Sequence, residues 1–300
     1  MMRAIATSTA ANGLNDDVAI LELGAETLIL THDMMVQGLH WLPNASPADV
    51  AWKLLAVNLS DLAAKGAQPL GVLLGFTLGD DDWDIAFASG MHDALGHYNV
   101  ALLGGDTVGA SDGARTFGMT AIGRATHAPL PLRSNAKAGD ALYVTGALGN
   151  AKAGFDLESG AVDAGAHDSR MLRAAFNRPA ALLDQGQKLA PVVNAMMDVS
   201  DGLFIDAQRM ANASGLALSI DISLLPLSAD YAGLCGDNLD SRIEAGSWGD
   251  DYQLLFACAR DVQPTVAATK VGDFTKGGGL TLLDQGQGLD LPASLGFEHR

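Results

Sequence analysis

The first half of the chain alternates short apolar runs with amphipathic stretches, the pattern of strands separated by helices. Residues 27–31 (TLILT) form an apolar run of strand length that leads into Asp33. Ser46-Pro47-Ala48-Asp49 offers a capping serine, a proline for the first helical turn and a carboxylate facing the helix dipole. A helix is therefore expected from there to about Lys65, with Gly66 as its left-handed terminator. Further strands are expected over 71–78, 100–103 and 116–123, and a helix over 82–98. Ala128-Pro129-Leu130-Pro131 is a proline-punctuated connector, which puts the expected domain boundary between 1–128 and 129–300. Beyond it the pattern gives a strand at 141–145, a glycine-broken turn and then helices. A strand closes at Met196-Met197 and enters Asp198, a helix follows over 202–213, and a glycine-rich stretch at 271–279 precedes a last strand at 280–283. No repeat of solenoid period and no low-complexity tract interrupts this order. The expectation is two mixed α/β domains of similar size.

Composition narrows the chemistry. The 300 residues are 48% hydrophobic, enough for one large core or two ordinary ones. Lys plus Arg number 18 against 35 Asp plus Glu, a net charge of −17, so nucleic acid is not an expected partner. An anionic nucleotide stays possible where divalent cations bridge it to carboxylates. The two cysteines, Cys235 and Cys258, form no CxxC pair and read as small apolar residues of a reducing cytoplasm. Residues 1–12 lack the apolar core of a signal peptide, and no run approaches a membrane span, so a cytoplasmic protein without a membrane partner is expected.

The informative residues are aspartates at or inside apolar sequence: Asp16-Asp17 before VAIL, Asp33 after TLILT, Asp61 in NLSDLAA, Asp106 in LLGGDT, and Asp198 and Asp201 in MMDVSDGL. A buried carboxylate without compensation is costly, and oxygen-seeking divalent cations are a natural partner where few basic residues lie nearby in sequence. Each site also has an ordinary alternative. Asp16 and Asp17 suit a turn, Asp61 a hydrogen-bonded core carboxylate on the same helix face as Asn58, and Gly104–Thr107 a turn after a strand. Ser200, Asp201 and Asp206 suit helix capping. The set weighs more than its members, because the ends of strands and helices are where α/β folds build sites. The amides at the start of the helix near Gly202 add a phosphate-binding element. Neither a P-loop sequence nor a G-x-G-x-x-G fingerprint is present.

Six ordered motifs carry a resemblance that runs almost end to end. Asn58-Leu-Ser-Asp-Leu-Ala-Ala-Lys-Gly-Ala-Gln-Pro69 is close to NLSDLAAMGA-x-P, and LLGGDT to GGDT. Arg133 to Asp140 matches R-x-G-A-x-x-G-D, Asp198 to Leu203 matches D-x-SDGL, Gly249 to Phe256 resembles GEDYELLF, and Leu295 to His299 resembles a closing GYEH. The chain thereby resembles the thiamine-monophosphate kinases, within the superfamily of aminoimidazole ribonucleotide synthetase. It departs from the pattern at Asn15 for glycine, at His32 for a hydroxyl residue, at Asp250 for glutamate and at Trp248 for glycine.

The resemblance implies the two-domain aminoimidazole ribonucleotide synthetase-like fold, a mixed sheet with flanking helices followed by a C-terminal α/β domain. It implies metal ligands at Asp17, Thr31, Asp33, Asp61, Asp106, Asp198 and Asp201, ATP contacts from Gly105, Asp106, Arg133 and Ser200, and substrate contacts from His40, Asp250 and Phe297. It implies several Mg²⁺ ions, ATP as co-substrate, thiamine monophosphate as acceptor, a homodimer and no covalent nucleophile. Two other readings stand beside it. One is a sister ATP-dependent ligase of the superfamily; the other is a non-catalytic divalent-metal binder, for which the compact D-x-D-x-D-G loop is missing.

Overall fold

The computed structural model describes residues 4–109, 114–165 and 168–298. His299, the end of the closing motif, lies outside them. The first half builds β1 (Ala19–Leu23), β2 (Glu26–Val36), α1 (Pro47–Ala63), β3 (Ala67–Leu78), α2 (Asp81–Tyr98), β4 (Leu102–Gly109) and β5 (Thr116–Ala125). These strands form a five-stranded sheet in the order β1-β2-β5-β3-β4, antiparallel except for the parallel β3–β4 pair. Gly66 closes the turn after α1 with φ +61, in the left-handed region the sequence predicts for it.

The second half adds β6 (Ala141–Thr145), α3 (Asn150–Ser159), α4 (Arg170–Asn177), α5 (Leu183–Leu189), β7 (Ala195–Asp198), α6 (Leu203–Ser214) and β8 (Leu216–Asp221). It ends with α7 (Ala229–Cys235), α8 (Leu239–Ser247), β9 (Leu254–Cys258), β10 (Ala268–Lys276), β11 (Gly279–Asp284) and β12 (Gln287–Leu289). Its strands form a seven-stranded sheet in the order β12-β11-β8-β10-β6-β9-β7.

One correction concerns the GGDT sequence. It was expected after a strand over 100–103, but Gly104 to Thr107 lie inside β4. Gly105 is required there: a Cβ would come within 1.8 Å of the Leu74 carbonyl of β3.

The element that organises both halves is α1. From Val50 to Ala63 all but Trp52 are buried, polar residues included. One side of the helix packs on β2 and β5, and it also meets α4, α5 and β7 of the second half. A helix that buries its whole circumference reads as apolar all round. Its polar residues Lys53, Asn58, Ser60 and Asp61 must therefore find partners inside the protein.

Candidate active site

Asp17, Asp61 and Asp198 each place a carboxylate oxygen within 4.8 Å of the others. They come from the segment before β1, the last turn of α1 and the end of β7. Asp61 is 7% and Asp198 2% exposed. Thr31, on the buried face of β2, donates its hydroxyl to Asp61, and Ser60 Oγ donates to Asp198 Oδ2 at 2.5 Å. Asp33 stands next to this group. Its backbone N–H donates to Asn58 Oδ1 at 3.0 Å, and Asn58 Nδ2 donates in turn to the Leu54 carbonyl.

Burial pushes the Asp61 carboxyl well above its ordinary range, and the neighbouring charges of Asp33, Asp198 and Asp17 push the same way against the Thr31 hydrogen bond. Burial, followed by Asp17, raises Asp198 to about 7, opposed by the Ser60 hydroxyl. Close carboxylates, two of them buried and raised by their neighbours' charges, are a hard-oxygen donor set. They fit a divalent cation such as Mg²⁺, which would stabilise the charged forms.

Basic residues meet the flanks of the cluster. Lys65 Nζ lies 2.8 Å from Asp16 Oδ1, with both side chains 1% exposed, and it also donates to the Met196 carbonyl. Burial alone would raise the Asp16 carboxyl; the Lys65 ammonium, aided by Arg133, instead holds it below the usual range. Asp16 Oδ2 accepts the Arg133 backbone N–H at 3.0 Å, while the Arg133 guanidinium pairs with Asp17. Arg133 Nε is buried without a hydrogen-bond partner. The guanidinium thus sits beside the carboxylates with donor capacity left over for an oxyanion.

The turn from Asp198 to α6 is shaped by Asp206, for which the sequence suggests only helix capping. Asp206 is fully buried, and its Oδ2 accepts the N–H groups of Ser200 and Asp201 at 3.1 and 3.0 Å. Arg209 Nη1 reaches Asp206 Oδ1 at 2.8 Å and Asp201 Oδ2 at 2.5 Å. Those two amides are therefore taken by a side chain; the amides expected to be available to phosphate are the ones that follow, at the start of α6 near Gly202. The signal that marks Asp206 in sequence is an acid in the first turn of a helix that follows another acid-bearing turn. Phe297 reaches the same turn, its N–H donating to the Asp201 carbonyl at 2.9 Å.

A second group forms at 249–253. Asp250 N–H donates to the Ser200 carbonyl at 2.9 Å, which ties this loop to the Asp198–Asp201 turn. Lys53 Nζ lies 2.8 Å from Asp250 Oδ2 and donates to the His40 carbonyl at 3.2 Å. His40 Nδ1 accepts the Val36 N–H at 3.0 Å, so the neutral ring carries its proton on Nε2. Sequence reading pointed to His40 and Asp250 but missed Lys53, whose only sequence signal is a lysine within an apolar helix.

Two residues stand differently from the rest. Asp106 is exposed on β4, with its Oδ1 accepting the Thr107 N–H, and is not one of the three converging carboxylates. His32 follows the strand alternation away from the cluster. Thr31 is buried, whereas His32 and Met34 are exposed, and His32 Nδ1 pairs with Thr120 Oγ1 at 2.8 Å.

Comparison with known proteins agrees with this architecture. Residues 15–125 match the family AIR synthase related protein, N-terminal domain, and residues 137–287 match AIR synthase related protein, C-terminal domain. The chain is 38% identical over 260 residues to the thiamine-monophosphate kinase of Escherichia coli strain K12, covering 81% of this chain and 75% of that one. It is 32% identical over 308 residues to that of Haemophilus influenzae, covering 95% and 90%. Among solved structures it is similar to AaThiL complexed with AMPPCP and TMP, with a TM-score of 0.87, 28% identity and 98% and 94% of the two chains covered. It is also similar to the thiamine-monophosphate kinase of Stenotrophomonas maltophilia K279a, with a TM-score of 0.79, 32% identity and 96% and 95% covered.

Proposed function

The chain belongs to the thiamine-monophosphate kinase family, and from that premise we propose that it moves the γ-phosphoryl group of ATP directly onto the phosphate of thiamine monophosphate. The products are thiamine diphosphate and ADP. The observation that carries this reading is the convergence of Asp17, Asp61 and Asp198, on a fold whose relative AaThiL was solved with AMPPCP and TMP.

The acceptor needs little activation. A phosphate monoester has a second pKa of about 6 and is largely dianionic at neutral pH, so no general base is required. The reaction is then a problem of aligning and neutralising two polyanions. Mg²⁺ ions held by Asp17, Thr31, Asp33, Asp61, Asp106, Asp198 and Asp201 would supply that neutralisation. Arg133 and Gly105, with Asp106 and Ser200, bind ATP, the guanidinium forking onto phosphate oxygens. His40, Asp250 and Phe297 orient the acceptor. No nucleophile is called for: burial pushes the thiols of both Cys235 and Cys258 up, so neither is an activated thiolate.

The proposed division is 1–128, an N-terminal domain for ATP and metal binding and for dimerisation, and 129–300, a C-terminal domain; support for it is that the five-stranded sheet draws all its strands from the first part and the seven-stranded sheet all its strands from the second. A homodimer is proposed through the first sheet and its edge strand, supported by the exposed side chains of Met34, Leu73, Leu78, Leu102, Leu103 and Val108. A cytoplasmic setting is supported by two unpaired cysteines. Among the described residues no helix is long and apolar enough to cross a membrane.

The test is incubation with γ-labelled ATP and thiamine monophosphate. Label is expected in the terminal phosphate of thiamine diphosphate, with none on the protein after ATP alone. Absence of labelled product contradicts the activity, and a labelled protein that passes its phosphate to the acceptor contradicts direct transfer.

A further inference from the structure

Lys53 is 3% exposed, and each of its contacts reaches a different part of the acceptor end. The ammonium donates to the His40 carbonyl at 3.2 Å, pairs with Asp250 Oδ2 at 2.8 Å and lies 3.9 Å from the centre of the Phe176 ring. These contacts join α1 to the turn after β2, to α4 and to the loop before β9. A lysine this deeply buried persists only when its charge is met, and here one carboxylate, one carbonyl and one aromatic face meet it.

Asp250 needs such an anchor. Its φ is +65 and that of Tyr252 is +48, so two non-glycine residues in left-handed backbone flank Asp251. Residues in that region are held by their surroundings rather than by their own preference. The backbone is fastened by Asp250 N–H to the Ser200 carbonyl and by Tyr252 N–H to the Val199 carbonyl. The Asp251 carboxylate accepts the N–H groups of Gly149 and Ala151 at 2.8 and 3.3 Å. The Asp250 side chain is then fixed from both ends, Oδ1 by the Tyr252 hydroxyl at 3.0 Å and Oδ2 by Lys53. At 26% exposed it still presents an edge to the outside.

We propose that Lys53 is a positioning residue for acceptor recognition, anchoring Asp250 and the His40 turn so that the free lone pairs of Asp250 face the amino-bearing heterocycle of thiamine. This rests on the kinase reading above. Lys53 acts through Asp250 and touches neither ATP nor the acceptor phosphate, so it governs acceptor affinity rather than nucleotide affinity.

The test compares wild type, Lys53→Met, Lys53→Arg, Asp250→Asn and the Lys53→Met/Asp250→Asn double variant, each with ATP and thiamine monophosphate as varied substrates. Lys53→Met is expected to raise KM for thiamine monophosphate about tenfold or more, with KM for ATP changed by less than about twofold. Lys53→Arg, which keeps the charge, recovers most of the loss. The double variant is no worse than the poorer single, because both changes break one unit. Unchanged acceptor KM in Lys53→Met, an equal rise for both substrates, or additive losses in the double variant each overturn the proposal. A wild-type protein that makes no thiamine diphosphate overturns the kinase reading instead. Should Lys53→Met not fold, as judged by thermal unfolding, Lys53→Gln, which also removes the charge, takes its place alone and with Asp250→Asn in the same coupling test.

Discussion

Ser60 Oγ donates a 2.5 Å hydrogen bond to Asp198 Oδ2, and this contact joins the helix of the first sheet to a strand end of the second. The next residue, Asp61, adds its own carboxylate to the same cluster. Two adjacent side chains of one buried helix thus hold the acids of both halves against each other. The cluster is an electrostatic load on the fold as well as a site. Asp61→Asn and Asp198→Asn are therefore expected to lower turnover by about 100-fold or more, as removal of one charge-handling group does. The same variants should keep or raise the thermal midpoint in the presence of a chelator, because each removes a repelling buried charge. Near-normal turnover in either variant contradicts a metal role, and a large drop in the midpoint contradicts the electrostatic account.

The raised carboxyl pKa values make stability depend on pH in a definite direction. Asp198 and Asp251 lie at about 7 and Asp206 at about 8 in the folded chain, all against an ordinary value of 3.8. Between those limits the folded chain holds more protons than the unfolded one, so the contribution present below about pH 4 is lost as pH rises through 7 to 8. Metal-free protein is expected to melt at least about 4 °C higher at pH 5 than at pH 8. On the proposed reading Mg²⁺ would bind the ionised cluster, so it should raise the midpoint more at pH 8 than at pH 5. Scanning calorimetry at both pH values, with and without Mg²⁺, checks this; a larger Mg²⁺ effect at pH 5 opposes it.

The outer face of the first sheet gives a prediction about assembly. Leu103 is 54% exposed and lies over Gly71 of β3, where a Cβ would come within 2.5 Å of its side chain. A charge at an exposed position costs the single chain little, whereas in an apolar interface it leaves an unpaired ion. Leu103→Glu is expected to convert a dimer to a folded monomer in sedimentation velocity. An unchanged dimer would move the interface elsewhere, and a wild-type monomer would remove it.

Much of this arrangement was legible in the sequence. The proline at Pro47, the glycine at Gly66 and the largely apolar stretch between them outline α1, although the Ser46 side chain makes no capping hydrogen bond, and acids at strand and helix ends mark the carboxylate cluster. What the sequence could not show is which side chains meet across elements. The basic residues near the acids seemed few because the relevant distance is spatial: Arg133 reaches Asp17 from 116 positions away, and Lys53 reaches Asp250 from 197. Asp206 was legible only as a cap, since its double acceptance from Ser200 and Asp201 depends on how the turn folds back over α6. GGDT resembles a turn because of its glycines, but Gly105 is there so that β4 can approach the Leu74 carbonyl of β3. His32 occupies a motif position, yet the two-residue period of β2 turns it away from the cluster.

The measurement that bears most directly on the central claim is thiamine diphosphate formation from ATP and thiamine monophosphate, with Mg²⁺ and after chelation, and with free thiamine as a parallel acceptor. The account predicts product from the monophosphate alone, dependent on Mg²⁺ and lost in Asp61→Asn. Equal product after chelation, or phosphorylation of free thiamine instead, would contradict it.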